Sequence, residues 1–235
     1  MSQLPLPLRL TPQATFDSFF GADDKAREVM YLLQTLSESV VIWIWGGPGS
    51  GKSHLLQATC AHWAGRGRRV IYWDLATPDA ARALPGMEAL DVVVLDNVQG
   101  VIGDRAGEQA LFLLYNELLA QGGCLIIAAS AGPVELVAQL PDLASRLAAA
   151  MVFRLPSLDE QGQLEVLRLR AQKNGLELAP RAARYLVNRV DRNMASLCAW
   201  LDTLDKASLA SQTNRLTVPF IRSVLTDDVV LHDAD

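Results

Sequence analysis

The chain has 235 residues, half of them apolar, which is enough to bury the core of one large domain or of a domain with a small appendage. Its apolar runs, such as residues 40–45, are far shorter than the roughly 20 residues that a membrane-spanning helix needs, so we expect no membrane partner. With 26 acidic against 21 basic residues, the net charge is −5. Proteins that hold nucleic acid by its phosphates normally carry a clustered basic surface. We therefore do not expect direct sequence-specific DNA binding.

Two features of the sequence indicate a cytoplasmic protein. Residues 1–12, predicted to be an extended tail, have neither the basic start nor the long apolar stretch of a secretion signal. The three cysteines, Cys60, Cys124 and Cys198, are odd in number and lie in apolar sequence. This favours buried reduced thiols over disulfides or a metal site.

From residue 13 to residue 156, predicted strands and helices alternate. A continuous apolar and β-branched run predicts a strand at 40–45, and apolar residues at helical spacing predict a helix at 52–63. Further strands are predicted at 70–73, 92–95, 125–129 and 151–155, with helices at 107–120 and from about Pro141. Such alternation predicts an α/β fold, with helices on both faces of a parallel sheet.

Beyond Pro156 the pattern changes. Three helix-length segments, 159–173, 180–190 and 194–211, follow without an intervening strand, and a loop at 214–218 precedes a short terminal helix at 219–225. We therefore predict an α/β nucleotide-binding domain over residues 13–156 and a small α-helical domain over residues 157–235.

The residues directly after the first strand carry the phosphate-binding motif G-x-x-x-x-G-K-[ST]. They are Gly46, Gly47, Pro48, Gly49, Ser50, Gly51, Lys52 and Ser53. The glycines let backbone N–H groups face phosphates, Lys52 supplies a cation, Ser53 can ligate Mg²⁺, and the following helix adds the positive end of its dipole. We predict a bound nucleoside di- or triphosphate with Mg²⁺, and we include His54 in the site. The alternative is a glycine-rich turn with a chance Gly-Lys-Ser.

A P-loop site also needs a carboxylate that holds Mg²⁺ through water, and Asp96 follows the strand at 92–95. Hydrolytic relatives usually carry a second acid at the next position, but here that residue is Asn97, whose amide cannot accept a proton. We therefore expect intrinsic ATP hydrolysis to be weak or absent. The alternative is that Asn97 only ends the strand and that another acid, such as Glu108, acts instead.

Two further site residues are assigned by the order of elements. Ser130 follows the fourth strand, where P-loop proteins with an inserted strand carry a polar sensor beside the outer phosphate, although a serine there is more often a turn residue. Arg146 lies among small and apolar residues before the fifth strand, from where it can enter a neighbour's nucleotide site as an arginine finger. The alternative for Arg146 is a surface salt bridge.

These elements in this order resemble the AAA+ proteins, and more narrowly the bacterial replication initiator DnaA and its DnaA-related regulators. Residues 16–19 are similar to the motif that opens the DnaA-type nucleotide domain, residues 96–97 to the regulators' Walker B motif, and residues 141–147 to the arginine-finger box. The resemblance implies an AAA+ sheet with a helical lid, an adenine nucleotide and DnaA as the partner. Phe19 and Phe20 lie where the base can rest, although a place in the core is the alternative.

The first residues are similar to the peptide by which such regulators bind the sliding clamp of DNA polymerase III. They are Gln3, Leu4, Pro5, Leu6, Pro7 and Leu8. Prolines keep such a peptide extended, leucines fill an apolar cleft, and the glutamine can hydrogen-bond a small pocket. The alternative is an apolar tail without a partner.

The sequence departs from the DnaA pattern in two places. DnaA carries a DNA-binding domain after the lid, whereas this sequence ends at Asp235, so we do not expect origin recognition. The family places a sensor arginine near the start of the third lid helix, where Ala195 stands here unless Arg192 replaces it. Without that cation we expect ADP to be favoured over ATP.

The resulting hypothesis is a regulator of replication initiation. Tethered to the clamp, the protein would promote hydrolysis of DnaA-bound ATP through Arg146 and so prevent re-initiation; a homodimer is compatible with the sequence. The alternative is a stand-alone AAA+ ATPase that acts as a loader or remodeller. A P-loop kinase is disfavoured because its lid would carry a cluster of phosphate-binding arginines.

Overall fold

The computed structural model describes residues 14–20, 23–36, 39–77, 79–191 and 193–232. The helices in these ranges are α1 (Asp24–Gln34), α2 (Lys52–Ala64), α3 (Arg105–Ala120), α4 (Pro141–Ala148), α5 (Glu160–Lys173), α6 (Pro180–Arg189), α7 (Met194–Ala210) and α8 (Val218–His232). The strands are β1 (Val41–Trp45), β2 (Val70–Asp74), β3 (Val92–Asp96), β4 (Cys124–Ala129), β5 (Met151–Arg154), β6 (Glu177–Leu178) and β7 (Arg215–Leu216). No helix within the described ranges is long and apolar enough to span a membrane.

The chain divides into two compact units, Met1–Ser157 and Leu158–Asp235. The first unit contains a five-stranded sheet in the order β2-β3-β4-β1-β5, and every neighbouring pair of strands is parallel. All residues of β3 and β4 are buried, as expected for strands that helices cover on both faces. The predicted α/β fold is confirmed.

Alternating side chains of the central strands supply two apolar cores, one on each face of the sheet. On one face, Trp43 and Ile127 pack with Leu111 of α3 and Leu143 of α4. On the other face, the core is formed with helices α1 and α2. Because parallel strands end at the same edge of the sheet, the residues after β1, β3 and β4 are brought together there.

Helix α1 was not predicted. Asp23 caps its first turn, where the Asp23 carboxylate accepts a hydrogen bond of 2.8 Å from the Ala26 N–H. Its buried residues are Ala26, Val29 and Leu33, and the partly buried Met30 packs against the same core. These four residues have the i, i+3, i+4, i+7 spacing of an amphipathic helix, so the periodicity of the sequence does indicate α1.

The second unit consists of helices α5 to α8 around an apolar core that includes Leu167, Leu186, Leu197 and Leu216. The prediction that this region lacks a strand was wrong, because β6 and β7 pair in parallel over two residues each. A ladder this short has no periodicity that the sequence could reveal. The last helix also extends beyond the predicted 219–225.

Candidate functional site

The P-loop occupies the connection between β1 and α2, and two of its glycines have left-handed backbone conformations. Gly49 has φ 73° and Gly51 has φ 92°, a region that favours glycine. Gly46 is required for a different reason, since a Cβ there would lie 2.3 Å from the Leu155 carbonyl oxygen. Ser50 is buried, whereas Pro48 and Ser53 are exposed. This backbone leads into α2 at Lys52, so its N-terminal N–H groups lie at the loop.

The Lys52 ammonium lies within the curve of the loop. It donates hydrogen bonds of 2.7 Å and 2.9 Å to the carbonyl oxygens of Gly46 and Gly47. Burial lowers the pKa of Lys52, and the opposite charge of Asp96 counteracts this effect. The attraction indicates that the P-loop cation and the Asp96 carboxylate belong to one electrostatic site.

The segment before α1 packs against the start of α2. Phe19 touches the P-loop closely, since a Cβ on Gly51 would lie 2.7 Å from Phe19 Cε2. His54 Nε2 lies 2.9 Å from the Thr15 carbonyl oxygen, and its ring centroid is 5.9 Å from that of Phe19. The structure therefore brings Phe19 and His54 to the P-loop. Phe20 is only partly buried.

Asp96 is a buried carboxylate at the end of β3, with 1% of its surface exposed. Its Oδ1 accepts a hydrogen bond of 2.9 Å from the Asn97 N–H, and its Oδ2 accepts one of 2.8 Å from the Tyr72 hydroxyl. Burial and the neighbouring Asp96 charge both raise the pKa of Tyr72. Tyr72 therefore remains a neutral donor that fixes the Asp96 carboxylate.

Asn97 has φ 54°, a left-handed conformation that asparagine tolerates better than most residues. Its Nδ2 donates to Asp74 Oδ1 at 2.8 Å, and its Oδ1 accepts from Gln99 Nε2 at 3.2 Å. Gln99 Oε1 in turn accepts from the N–H of the exposed Ser130 at 3.2 Å. A chain of hydrogen bonds thus connects the ends of β2, β3 and β4.

The structure argues against Glu108 as the alternative acid. Glu108 is completely buried on α3, and its carboxylate accepts hydrogen bonds from the N–H groups of Gly103, Gln139 and Leu140 at 2.7, 2.9 and 2.8 Å. Because both of its oxygens are engaged by the backbone, this carboxylate is not placed to take a proton from water.

Arg146 lies in the last turn of α4 and is exposed. Its guanidinium carbon is 5.8 Å from the centroid of the Tyr115 ring, and the Tyr115 hydroxyl donates to the Arg146 carbonyl oxygen at 3.3 Å. Among the residues that the structure describes, the Arg146 guanidinium forms no ion pair. The alternative of a surface salt bridge is therefore not supported within the described ranges.

Several predicted site residues lie outside the description. The clamp-binding peptide, residues 3–8, and Arg192 are outside the described residues, and the side chain of Ala195 is also outside them. Sequence reasoning, in turn, missed Tyr72 and Asp74. A usable indication was present for Asp74, because a polar residue at the end of a parallel strand lies at the same edge of the sheet as the P-loop.

Comparisons with known proteins agree with this geometry. Residues 159–225 match the family model described as Hda, lid domain. The chain is similar to domain III of the replication initiation protein DnaA from Thermotoga maritima, with 21% identity, a TM-score of 0.75, and coverage of 95% of this chain and 98% of that one.

Two further solved structures share the fold. AMPPCP-bound DnaA from Aquifex aeolicus has 24% identity and a TM-score of 0.66 over 83% of this chain and 65% of that one. The RuvB Holliday junction branch migration motor of Thermotoga maritima has 14% identity and a TM-score of 0.67 over 92% and 72%. The predicted AAA+ fold with a C-terminal helical lid is confirmed.

Proposed function

We propose that this chain is an Hda-like, DnaA-related AAA+ protein, because residues 159–225 match the Hda lid model and the fold is similar to that of DnaA domain III. We propose further that it regulates replication initiation by promoting hydrolysis of DnaA-bound ATP. In this proposal the protein carries its own nucleotide, is tethered to the polymerase sliding clamp, and presents Arg146 to the ATP that DnaA holds. The hydrolysed ATP then belongs to the partner, and re-initiation is prevented because DnaA is left with ADP.

The exposed Arg146 guanidinium is the observation that carries this proposal. A guanidinium is weakly hydrated, always charged, and shaped to bind phosphate oxygens through two N–H groups. The Tyr115 ring supports it from one side, and no carboxylate among the described residues pairs with it. A cation in this state is suited to an anionic ligand on another molecule.

The residues around the P-loop fit an adenine nucleotide with Mg²⁺. Left-handed glycines, the Lys52 ammonium and the start of α2 form a phosphate-binding arrangement, and the related Aquifex aeolicus DnaA was solved with AMPPCP. Residues 46–53 would hold the phosphates, Ser53 and Asp96 would hold the metal, and Phe19 would lie near the base. The bound group would supply the phosphate charge around which these donors are arranged. Ala195 in place of a sensor arginine supports a preference for ADP.

The surroundings of Asn97 support a low intrinsic rate of hydrolysis. Its amide is bonded on one side to Asp74 and on the other to Gln99, so it neither carries a base nor remains available to orient water. A stand-alone ATPase would need an acid here. This contact favours a protein that acts on its partner's nucleotide over a loader or remodeller.

The clamp tether remains a proposal from the sequence of residues 3–8. Gln3 and three leucines separated by prolines form a peptide that an apolar cleft can bind in an extended conformation. Tethering would raise the effective concentration of Arg146 near DnaA on DNA. The cytoplasm is the compartment in which such a complex would form.

The test is release of phosphate from ATP-loaded DnaA in the presence of DNA carrying the clamp. We expect the wild-type chain to accelerate release, and Arg146→Ala to lose most of the acceleration, because arginine fingers contribute about 10³- to 10⁵-fold in rate. Arg82→Ala is the control, since Arg82 is also exposed, with 81% of its side chain accessible, and lies between β2 and β3.

Two outcomes would contradict the proposal. One is that Arg146→Ala accelerates phosphate release as well as Arg82→Ala does. The other is that the isolated chain hydrolyses ATP steadily, which would support the stand-alone ATPase. Deletion of residues 1–10 should abolish the acceleration of phosphate release on DNA that carries the clamp. A deletion variant that keeps full activity on clamp-loaded DNA would exclude the tether.

A further inference from the structure

The buried Glu108 connects two loops that are far apart in sequence. Its Oε1 accepts from the Gly103 and Gln139 N–H groups at 2.7 Å and 2.9 Å, and its Oε2 accepts from the Leu140 N–H at 2.8 Å. The Gln139 side-chain amide also donates to the Gly103 carbonyl oxygen. One carboxylate and one amide therefore join the loop before α3 to the loop before α4.

The charge of Glu108 is balanced by backbone donors. The residue is completely buried, and no lysine or arginine in the described ranges forms an ion pair with it. A buried carboxylate is stable only when such donors replace its water. The loops must therefore hold their three N–H groups at fixed positions around Glu108, and Glu108 in turn fixes the loops.

One of the two loops follows Asp96 and Asn97, and the other precedes α4, the helix that carries Arg146. Gly103 follows Asp96 and Asn97 through a short 3-10 turn at Val98–Gly100. Leu140 is the N-cap residue of α4, and it has no side-chain cap of its own. Glu108 thus contacts the backbone where α4 begins, and α4 carries Arg146 in its last turn.

Helix α3 contacts the far end of α4 as well. Tyr115, two helical turns after Glu108, lies under the Arg146 guanidinium and bonds the Arg146 carbonyl oxygen. Glu108 and Tyr115 therefore hold the two ends of α4 from the same helix. The orientation of Arg146 follows from these two contacts.

We propose that Glu108 is a positioning residue for Arg146, and that it links the loop after Asp96 to the start of α4. The inference rests on the proposed function of Arg146. Glu108 does not touch the reacting phosphate; it sets the geometry of the helix that presents the guanidinium.

The test compares Glu108→Gln with Glu117→Gln, an exposed glutamate on the same helix. In Glu108→Gln the remaining oxygen can accept from Gly103 and Gln139, while the new amide N–H₂ faces the Leu140 N–H, so the bond at the start of α4 is lost. DnaA-bound ATP hydrolysis is measured against the concentration of each variant. We expect a maximal rate at least about 10-fold lower for Glu108→Gln, with half-saturation unchanged, and a wild-type curve for Glu117→Gln.

Hydrogen exchange provides a readout that does not depend on DnaA. In Glu108→Gln the amide of Leu140 should exchange at least about 10-fold faster, while the amides of α2 keep their wild-type protection. Accelerated exchange throughout the first unit would instead indicate general destabilisation and would overturn the positioning role.

The remaining outcomes separate the two proposals. A wild-type chain that fails to accelerate hydrolysis overturns the function proposed for Arg146, and with it this role. A wild-type chain that accelerates hydrolysis, together with an equally active Glu108→Gln variant, overturns the role of Glu108 alone. A Glu108→Gln variant that differs only in half-saturation also refutes it.

Discussion

The tight contact between Gly46 and the end of β5 predicts that Gly46→Ala destabilises the first unit far more than Gly47→Ala. A Cβ on Gly46 would lie 2.3 Å from the Leu155 carbonyl oxygen and 2.9 Å from Ser50 Oγ. The Leu155 N–H donates to the Trp45 carbonyl oxygen at 2.7 Å, so this backbone is tied to β1 and cannot move freely. A Cβ on Gly47 would meet the Ser157 hydroxyl at 3.0 Å, and a hydroxyl can rotate away.

The expected magnitudes follow from these distances. An ordinary carbon–oxygen contact is about 3.3–3.6 Å, so Gly46→Ala requires a displacement of about 1 Å in backbone that is part of the sheet. Overpacking of this kind costs about 1–3 kcal/mol, and we expect Gly46→Ala to fall at about 2–3 kcal/mol. Gly47→Ala should remain below about 1 kcal/mol. Neither glycine has a left-handed φ, so the difference between them reports the contact alone.

Urea denaturation followed by tryptophan fluorescence measures this difference, because Trp43 and Trp45 both lie in β1. A separation of about 2 kcal/mol corresponds to a folding equilibrium constant about 30-fold lower for Gly46→Ala than for Gly47→Ala. Titration with a fluorescent ADP analogue should show weaker binding for the same variant. Equal stability of the two variants would refute the assignment of Gly46 as the residue that lets the P-loop approach β5.

Two further predictions concern buried protons. Tyr72→Phe removes the hydrogen-bond donor to Asp96 Oδ2, so the free energy of unfolding measured by urea denaturation should fall by about 1–3 kcal/mol. The folded-state pKa of Tyr72 is raised, so above about pH 10 the unfolded wild type releases the phenol proton while the folded protein keeps it. The loss of stability caused by Tyr72→Phe is therefore complete below about pH 10 and becomes smaller as the pH rises further. A loss of stability that grows above about pH 10 would contradict this prediction. Burial raises the pKa of Cys60 to about 12, so at pH 8 only about one molecule in 10⁴ carries the thiolate. A thiol reagent should therefore modify Cys60 only as the chain unfolds, and rapid labelling of the native protein would be incompatible with the buried site.

The sheet and the P-loop could be predicted because each depends on local sequence. The apolar run of β1 by itself predicts a buried strand, and the glycine spacing after it by itself predicts a phosphate-binding loop. The two-residue ladder of β6 and β7 could not be predicted, because its pairing joins Glu177 to Arg215 across two helices. Such contacts depend on tertiary packing.

Only those site residues that belong to a recognisable sequence pattern could be predicted. Asp96 was identified from its place after a buried strand, whereas the burial of Glu108 depends on N–H donors up to 32 residues away in sequence. A glutamate in the first turn of a helix is expected at the surface. The surroundings that bury Glu108 do not exist until α3, α4 and their loops have folded together.

The contact between Asn97 and Asp74 gives a physical reason for a neutral residue directly after Asp96. The Asn97 amide donates to the Asp74 carboxylate at 2.8 Å. A carboxylate at position 97 would instead face a like charge at hydrogen-bond distance, at the edge of a site that already contains Asp96. The low hydrolysis proposed for this chain therefore depends on two residues, Asp74 at the end of β2 and Asn97 directly after β3. It is consistent with a protein whose exposed guanidinium, rather than its own acid, contributes to the reaction.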